Sequence, residues 1–143
     1  MIRMSKLTDY GIVLMVNMVR ANEARTARQL AAESDLPLPT VAKVLKVLTR
    51  QGFLGSTRGV HGGYSLSRRA DQISISDLIE GLEGPIALTE CSAAPGDGVC
   101  SHEETCPVRA PWVQINRAVK DALAGICLAQ MAEPQFLAPV IER

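Results

Sequence analysis

Apolar side chains crowd residues 5–20, where Leu7, Tyr10, Ile12, Val13, Leu14, Met15, Val16, Met18 and Val19 cover most of a helical circumference. A helix that is apolar all round is buried on more than one side, which in a small domain points to a subunit interface as well as an internal core. Ser5 and Thr8 compete as its start. Thr26-Ala27-Arg28-Gln29 has the form of a capping box and opens a short helix, Ala27–Ser34. After a turn over 34–37, the apolar set Val41, Val44, Leu45, Leu48 follows the i, i+3, i+4, i+7 rule and predicts a one-sided helix over 39–51. Pro39 suits its first turn, where a missing N–H costs nothing, and Gly52 supplies its stop.

Two short strands, 53–58 and 64–67, flank Gly59-Val60-His61-Gly62-Gly63, a connection whose glycines can take positive φ and close a hairpin. Ser74-Ile75-Ser76-Asp77 is a second capping signature, for a helix ending at Gly81 or Gly84. Residues 85–110 hold three Cys, three Pro and two Gly with no periodicity. A helix over 111–127 follows, with Trp112, Ile115, Val119, Ala122 and Ile126 recurring as a heptad-like seam. The tail, 128–143, carries two more Pro and reads as weakly ordered. The chain therefore divides into 1–84, a cysteine-bearing loop 85–110, a long helix 111–127 and a tail 128–143. Its expected class is mainly α with a small β-hairpin.

Helix, short helix, turn, helix and hairpin is the element order of a winged helix-turn-helix. In that arrangement one helix presents its polar face to the major groove while the hairpin tip reaches the backbone or minor groove. Thr40 and Lys43, near the start of the 39–51 helix, are the candidate base readers. Lys46 and Arg50 are candidate phosphate contacts, Arg58 and His61 sit on the wing, and Ser5 and Lys6 at the first helix's start are placed to hold a phosphate.

Charge changes the picture. Lys+Arg and Asp+Glu number 15 each, for a formal net charge of zero. Residues 1–70, however, carry eleven basic and four acidic side chains, a net +7, and residues 71–143 carry the reverse, a net −7. The block with the helix-turn-helix pattern is the basic one, so a double-stranded DNA operator is the expected partner. A composition 47% apolar can bury a core, and the longest apolar stretch, 10–19, is too short for a membrane span and broken by Asn17. Nothing at the start resembles a cleavable leader, so a cytoplasmic location is expected, with the cysteines as thiols or metal ligands and not disulfides. Two His, no nucleophile elbow and no phosphate loop argue against an enzyme or a small-molecule substrate.

Cys91, Cys100 and Cys106 are spaced C-x8-C-x5-C. A structureless stretch of that length inside a compact protein needs something to tie it down, and a metal centre can. Three thiolates with one weaker ligand suit an iron–sulfur cluster; a zinc site with His102, or a thiol redox switch, remain open readings. Cys127, beside Ile126 and Leu128, reads as a buried structural cysteine at the end of the long helix.

Lys6-Leu7-Thr8-Asp9-Tyr10-Gly11, the wing Arg58-Gly59-Val60-His61-Gly62-Gly63-Tyr64-Ser65-Leu66 and the helix over 73–82 resemble the IscR/NsrR-type winged-helix regulators of the Rrf2 family. The stretch Leu82–Cys91, with Cys106 and Trp112-Val113-Gln114-Ile115-Asn116, is similar to the branch regulating a SUF iron–sulfur assembly operon. That resemblance implies a homodimeric transcription factor, expected to repress cluster-assembly genes. It implies a cluster, [2Fe-2S] ahead of [4Fe-4S], on Cys91, Cys100 and Cys106, and a dimerisation helix at 111–127. The first cysteine gap is longer here than in the family pattern, and Arg109 stands where IscR-like members place a histidine. His102 and Asp9, the latter matching the position from which NsrR-like members supply a carboxylate to the other subunit, are the substitutes for the fourth ligand.

Overall fold

A computed structural model of the chain describes residues 2–93, 100–102 and 104–134. The enlarged part of the first cysteine gap and residues 135–143 of the tail lie outside the described residues. The elements in order are α1 (Lys6–Ala21), α2 (Ala27–Ser34), α3 (Leu38–Arg50), β1 (Leu54–Thr57), β2 (Gly63–Leu66), α4 (Ile75–Glu83), α5 (Arg109–Ala124) and α6 (Leu128–Ala132). Single 3-10 turns occur at Ala70–Gln72 and Glu90–Ser92. This is a mainly helical chain with a two-stranded antiparallel hairpin.

Local signals set most boundaries. The Ser5 hydroxyl accepts the Thr8 N–H at 3.2 Å, so Ser5 and not Thr8 starts α1. The Thr26–Gln29 and Ser74–Asp77 boxes both close reciprocally. Gly52, at φ +79, follows the end of α3, and α4 runs on through Gly81 to stop before Gly84. The hairpin pairs Leu54 with Leu66 and Thr57 with Gly63. Arg25 adds a one-residue third strand: its N–H donates to the Tyr64 carbonyl at 3.0 Å and its carbonyl accepts the Tyr64 N–H at 2.7 Å. Gly63 makes this approach possible, because a Cβ there would lie 2.7 Å from the Arg25 carbonyl oxygen and φ is +142.

The circumferential apolarity of α1 has an internal cause. α2, α3, α4, α6 and β2 all pack on it, burying Ile12, Leu14, Met15 and Met18 within a core shared with Leu30, Val41, Val44, Leu45, Leu48, Phe53, Ile73 and Leu78. Of its large apolar side chains only Val13 stands exposed, so the core accounts for most of what pointed to a subunit interface.

The C-terminal third differs from the sequence expectation. α5 starts two residues early and stops at Ala124, before Gly125. Ile126 therefore does not continue the seam; it packs against the core, and its carbonyl accepts the Ile75 N–H at 2.9 Å. Cys127 does not close the long helix. It pairs with Ser74 in an isolated antiparallel bridge and caps α6, half-buried. The first part of the tail is ordered, contrary to its proline-bearing composition: Leu128 is 0% exposed and its N–H donates to the Ile73 carbonyl at 2.8 Å. The Arg20 guanidinium donates to the Ala132 carbonyl at 3.0 Å, fixing α6 to the end of α1. A five-residue helix is too short to be stable or legible on its own, and docking on α1 holds it. No helix among the described residues is long and apolar enough to cross a membrane.

Candidate nucleic-acid interface and cysteine loop

The buried stripe of α3, Val41, Val44, Leu45 and Leu48, turns the opposite face outward. Lys43, Lys46 and Arg50 are exposed on it, and Thr40 is half-buried beside the helix start. Arg58 and His61 are exposed on the wing, whose tip residue Val60 is 98% exposed. His61 also shares a hollow with Thr26 and Gln29 at the start of α2, so the wing tip lies alongside that helix end.

The cations of the basic half are not equivalent. The Arg25 guanidinium is engaged by Glu23 and, at 2.9 Å, by Glu33, and these partners raise its pKa, with the Glu23 hydrogen bond the largest cause. Arg69 binds Asp71 at 2.6 Å, which lowers the Asp71 pKa, and Arg68 stacks over the Phe53 ring at 5.4 Å. Among the described residues, Arg3, Lys6, Arg28, Lys43, Lys46, Arg50 and Arg58 make no ion pair. These are the positive charges left for a polyanion; Arg28, exposed near the start of α2, belongs with them although no local motif marks it.

At the start of α1, Ser5 is already occupied. Its hydroxyl caps the helix and its backbone N–H donates to Glu83 Oε1 at 2.7 Å. Side-chain hydrogen bonds from Thr8 and then Ser5 hold the Glu83 carboxyl below the usual carboxylate range, opposed by desolvation and aided by the Ser5 backbone hydrogen bond. Lys6 and Asp9 line the same hollow as Glu83, with Arg3 and Met4. Glu83 joins the last residue of α4 to the helix start assigned to phosphate contact, a link of 78 positions that no local pattern discloses.

Cys91 lies in the 3-10 turn Glu90–Ser92, its sulfur 3.3 Å from the Thr89 hydroxyl. Cys106 lies just ahead of α5, its carbonyl accepting the Arg109 N–H at 3.4 Å. Cys91, Cys100 and Cys106 are half-buried free thiols and His102 is exposed. The donor set has the chemistry for a thiolate-ligated centre, since three soft sulfurs on one loop are what iron–sulfur or zinc ligation takes. Among the described residues no three His, Cys, Asp or Glu side chains converge within reach of one metal ion. Asp9 is exposed in the first turn of α1, in the Glu83 hollow that none of the cysteines lines.

On α5, Trp112 and Ile115 are 38% and 45% exposed, and Ala122 is exposed beside them. Val119 is half-buried and lines a hollow with Met4, Ile79, Pro85 and Leu123. Asn116 lies between these positions, buried and turned inward, where apolar periodicity would not place an amide.

Three comparisons place the chain among known proteins. A family model described as "Rrf2: Iron-dependent Transcriptional regulator" matches residues 4–134. The HTH-type transcriptional regulator CymR of Bacillus subtilis is 30% identical over 125 residues, covering 86% of this chain and 84% of that protein. The HTH-type transcriptional regulator IscR of Erwinia tasmaniensis is 25% identical over 114 residues, covering 80% and 67%. The solved structure of the B. subtilis CymR, described as the global cysteine regulator, superposes with a TM-score of 0.73 at 26% identity over 92% of this chain and 97% of that one.

Proposed function

The chain belongs to the Rrf2 family of transcriptional regulators, and from that premise we propose that it binds operator DNA as a homodimer and reads cellular iron–sulfur status through its cysteine loop. The observation carrying the DNA part is the outer face of α3, where Lys43, Lys46 and Arg50 stand exposed and unpaired among the described residues while Val41, Val44, Leu45 and Leu48 fix the helix to the core. Thr40 and Lys43 then read base edges in the major groove, and Lys46, Arg50, Lys6 and the wing residues Arg58 and His61 position the backbone. Trp112, Ile115, Val119 and Ala122 of α5 supply the seam between two copies.

In the sensing part, Cys91, Cys100 and Cys106 hold an iron–sulfur cluster, with His102, or Asp9 of a second copy, completing the ligation. Such a cluster supplies iron–sulfur bonds sensitive to oxidants, nitric oxide and iron supply. Cys91, Cys100 and Cys106, once held together by such a group, would keep the loop in one arrangement, and the preference of that arrangement for DNA would set the regulatory coupling. Repression of cluster-assembly genes is the output this reading assigns. A second reading makes the cysteines a zinc site or a thiol redox or nitric-oxide switch; one observation favours its thiol-switch form, since the thiols are free and half-buried and no three metal ligands, for zinc or for iron, converge among the described residues.

Anaerobic reconstitution with iron and sulfide tests the two together. The cluster reading expects visible sulfur-to-iron absorption that alanine at the three loop cysteines abolishes, with DNA affinity changing in step. Absence of that absorption, with operator binding unaltered by the triple substitution, refutes it.

A further inference from the structure

Segment 86–88 follows α4 and pairs with no strand among the described residues. In its place the Asn116 side chain does what a neighbouring strand would do. Its Oδ1 accepts the Leu88 N–H at 2.9 Å and its Nδ2 donates to the Ile86 carbonyl at 2.9 Å, the alternate-residue pattern of a β ladder compressed into one amide. The same Nδ2 reaches the Ser92 carbonyl at 3.5 Å, one residue past Cys91. A second polar group secures the near end: Glu80 Oε1 accepts the Ile86 N–H at 3.5 Å and is itself held by Lys120 Nζ at 2.7 Å.

Asn116 is 8% exposed, and a buried amide is costly unless its partners are in place. Here both ends of the amide are satisfied, and by backbone 28 and 30 positions away. A buried polar group of this kind specifies one arrangement where apolar packing alone would tolerate several.

What it specifies is the position of Cys91. The turn Glu90–Ser92 is closed by the Ser92 N–H on the Thr89 carbonyl at 3.0 Å and by Thr89–Ser92 hydroxyl contact at 3.0 Å. With that turn rigid, fixing Leu88 and Ser92 fixes Cys91. α5 also carries Cys106 at its lead-in, so a single helix becomes the frame for the first and third cysteines. We infer that Asn116 is a positioning residue for the cysteine loop, setting Cys91 against α5 in the register the sensing chemistry requires. The inference rests on the proposed role of the loop, but the positioning itself is readable without any bound group.

The test uses the full chain, reduced and metal-free, as Asn116→Ala and Asn116→Asp. Alkylation of Cys91 by iodoacetamide, followed by mass spectrometry with Cys127 as internal reference, and hydrogen exchange at the Leu88 amide are measured first. For Asn116→Ala, the loss of the single bond to the Leu88 amide predicts about a fivefold rise in its exchange, and the further loss of the Ile86 and Ser92 bonds predicts a rise of at least about fivefold in Cys91 alkylation. Asn116→Asp keeps an acceptor facing Leu88 and loses the donor facing Ile86; it should leave the Leu88 amide protected while Cys91 still reacts faster. Unchanged Cys91 and Leu88, or an equal rise at Cys127, overturns the inference. Should Asn116→Ala fail to fold, the Asp variant decides by the same two readings.

The proteins are then reconstituted anaerobically with iron and sulfide, and loss of visible absorption in air is timed. Faster decay in the Asn116 variants supports the inference toward a bound cluster, and equal decay refutes it. If the wild-type chain takes up no iron while the alkylation pattern holds, the proposed cluster fails and the positioning role stands.

Discussion

The assignment of Lys46 to the DNA backbone has a quantitative consequence. Lys46 is exposed on α3, opposite the buried Val41–Leu48 stripe, and has no ionic partner among the described residues. Lys46→Ala therefore removes a charge without uncovering core or orphaning an acid. Each neutralised phosphate contributes about 0.9 to the slope of log affinity against log salt. A homodimer loses the contact twice, so the slope should fall by about 1.8. Between 50 and 200 mM salt, the wild-type advantage should then shrink by about twelvefold; a single contact per complex gives only about three- to fourfold. Fluorescence anisotropy on a labelled palindromic duplex across that range measures both slopes. Thr40→Ala is the contrasting variant: as a base reader it should leave the slope unchanged and cut the preference for the operator over random duplex by about fivefold. An unchanged slope for Lys46→Ala, at whatever affinity, removes Lys46 from the phosphate contacts and takes this geometry of the recognition helix with it.

Two further outcomes follow from the packing and the charges. Leu128→Ala empties a fully buried site and should cost about 3 kcal/mol in urea unfolding, whereas a residue in a loose tail would stay within about 0.5 kcal/mol; a loss under 1 kcal/mol would mean that α6 does not share the core. Glu83 has a depressed pKa, so its contribution is present above the unfolded carboxylate value and lost as pH falls through the lower folded one. Wild type should exceed Glu83→Gln in stability by about 0.5 kcal/mol near pH 7, after discounting for exposure, with the gap closing below about pH 4; a gap that persists at pH 2 would show that the carboxylate charge is not its source.

Much of the basic half was legible because its signals are local. The two capping boxes act within four residues, and the α3 stripe repeats within two turns. Gly63 was legible as a turn glycine; its contact with Arg25 was not, since the partner carbonyl lies outside the hairpin. The +7 of residues 1–70 is a sum that does not say which of its cations are available to a partner. Arg25, Arg68 and Arg69 are drawn into contacts with Glu23, Glu33, Phe53 and Asp71, while Arg28 and Lys46 remain outward.

What the sequence determined by itself was the order and type of the main elements, because capping, helical period and turn chemistry are satisfied within a few residues of the chain. It also determined the donor chemistry of the cysteine loop. The tertiary structure decided what depends on partners distant along the chain. The apolar surplus of α1 is used by α4 and α6, and a five-residue helix with no stability of its own is ordered by Leu128 in the core. Glu83 takes the Ser5 amide, and Asn116 stands in for a missing strand 28 residues away. Burial and hydrogen-bond satisfaction are properties of the assembled fold, and no window along the chain contains both partners.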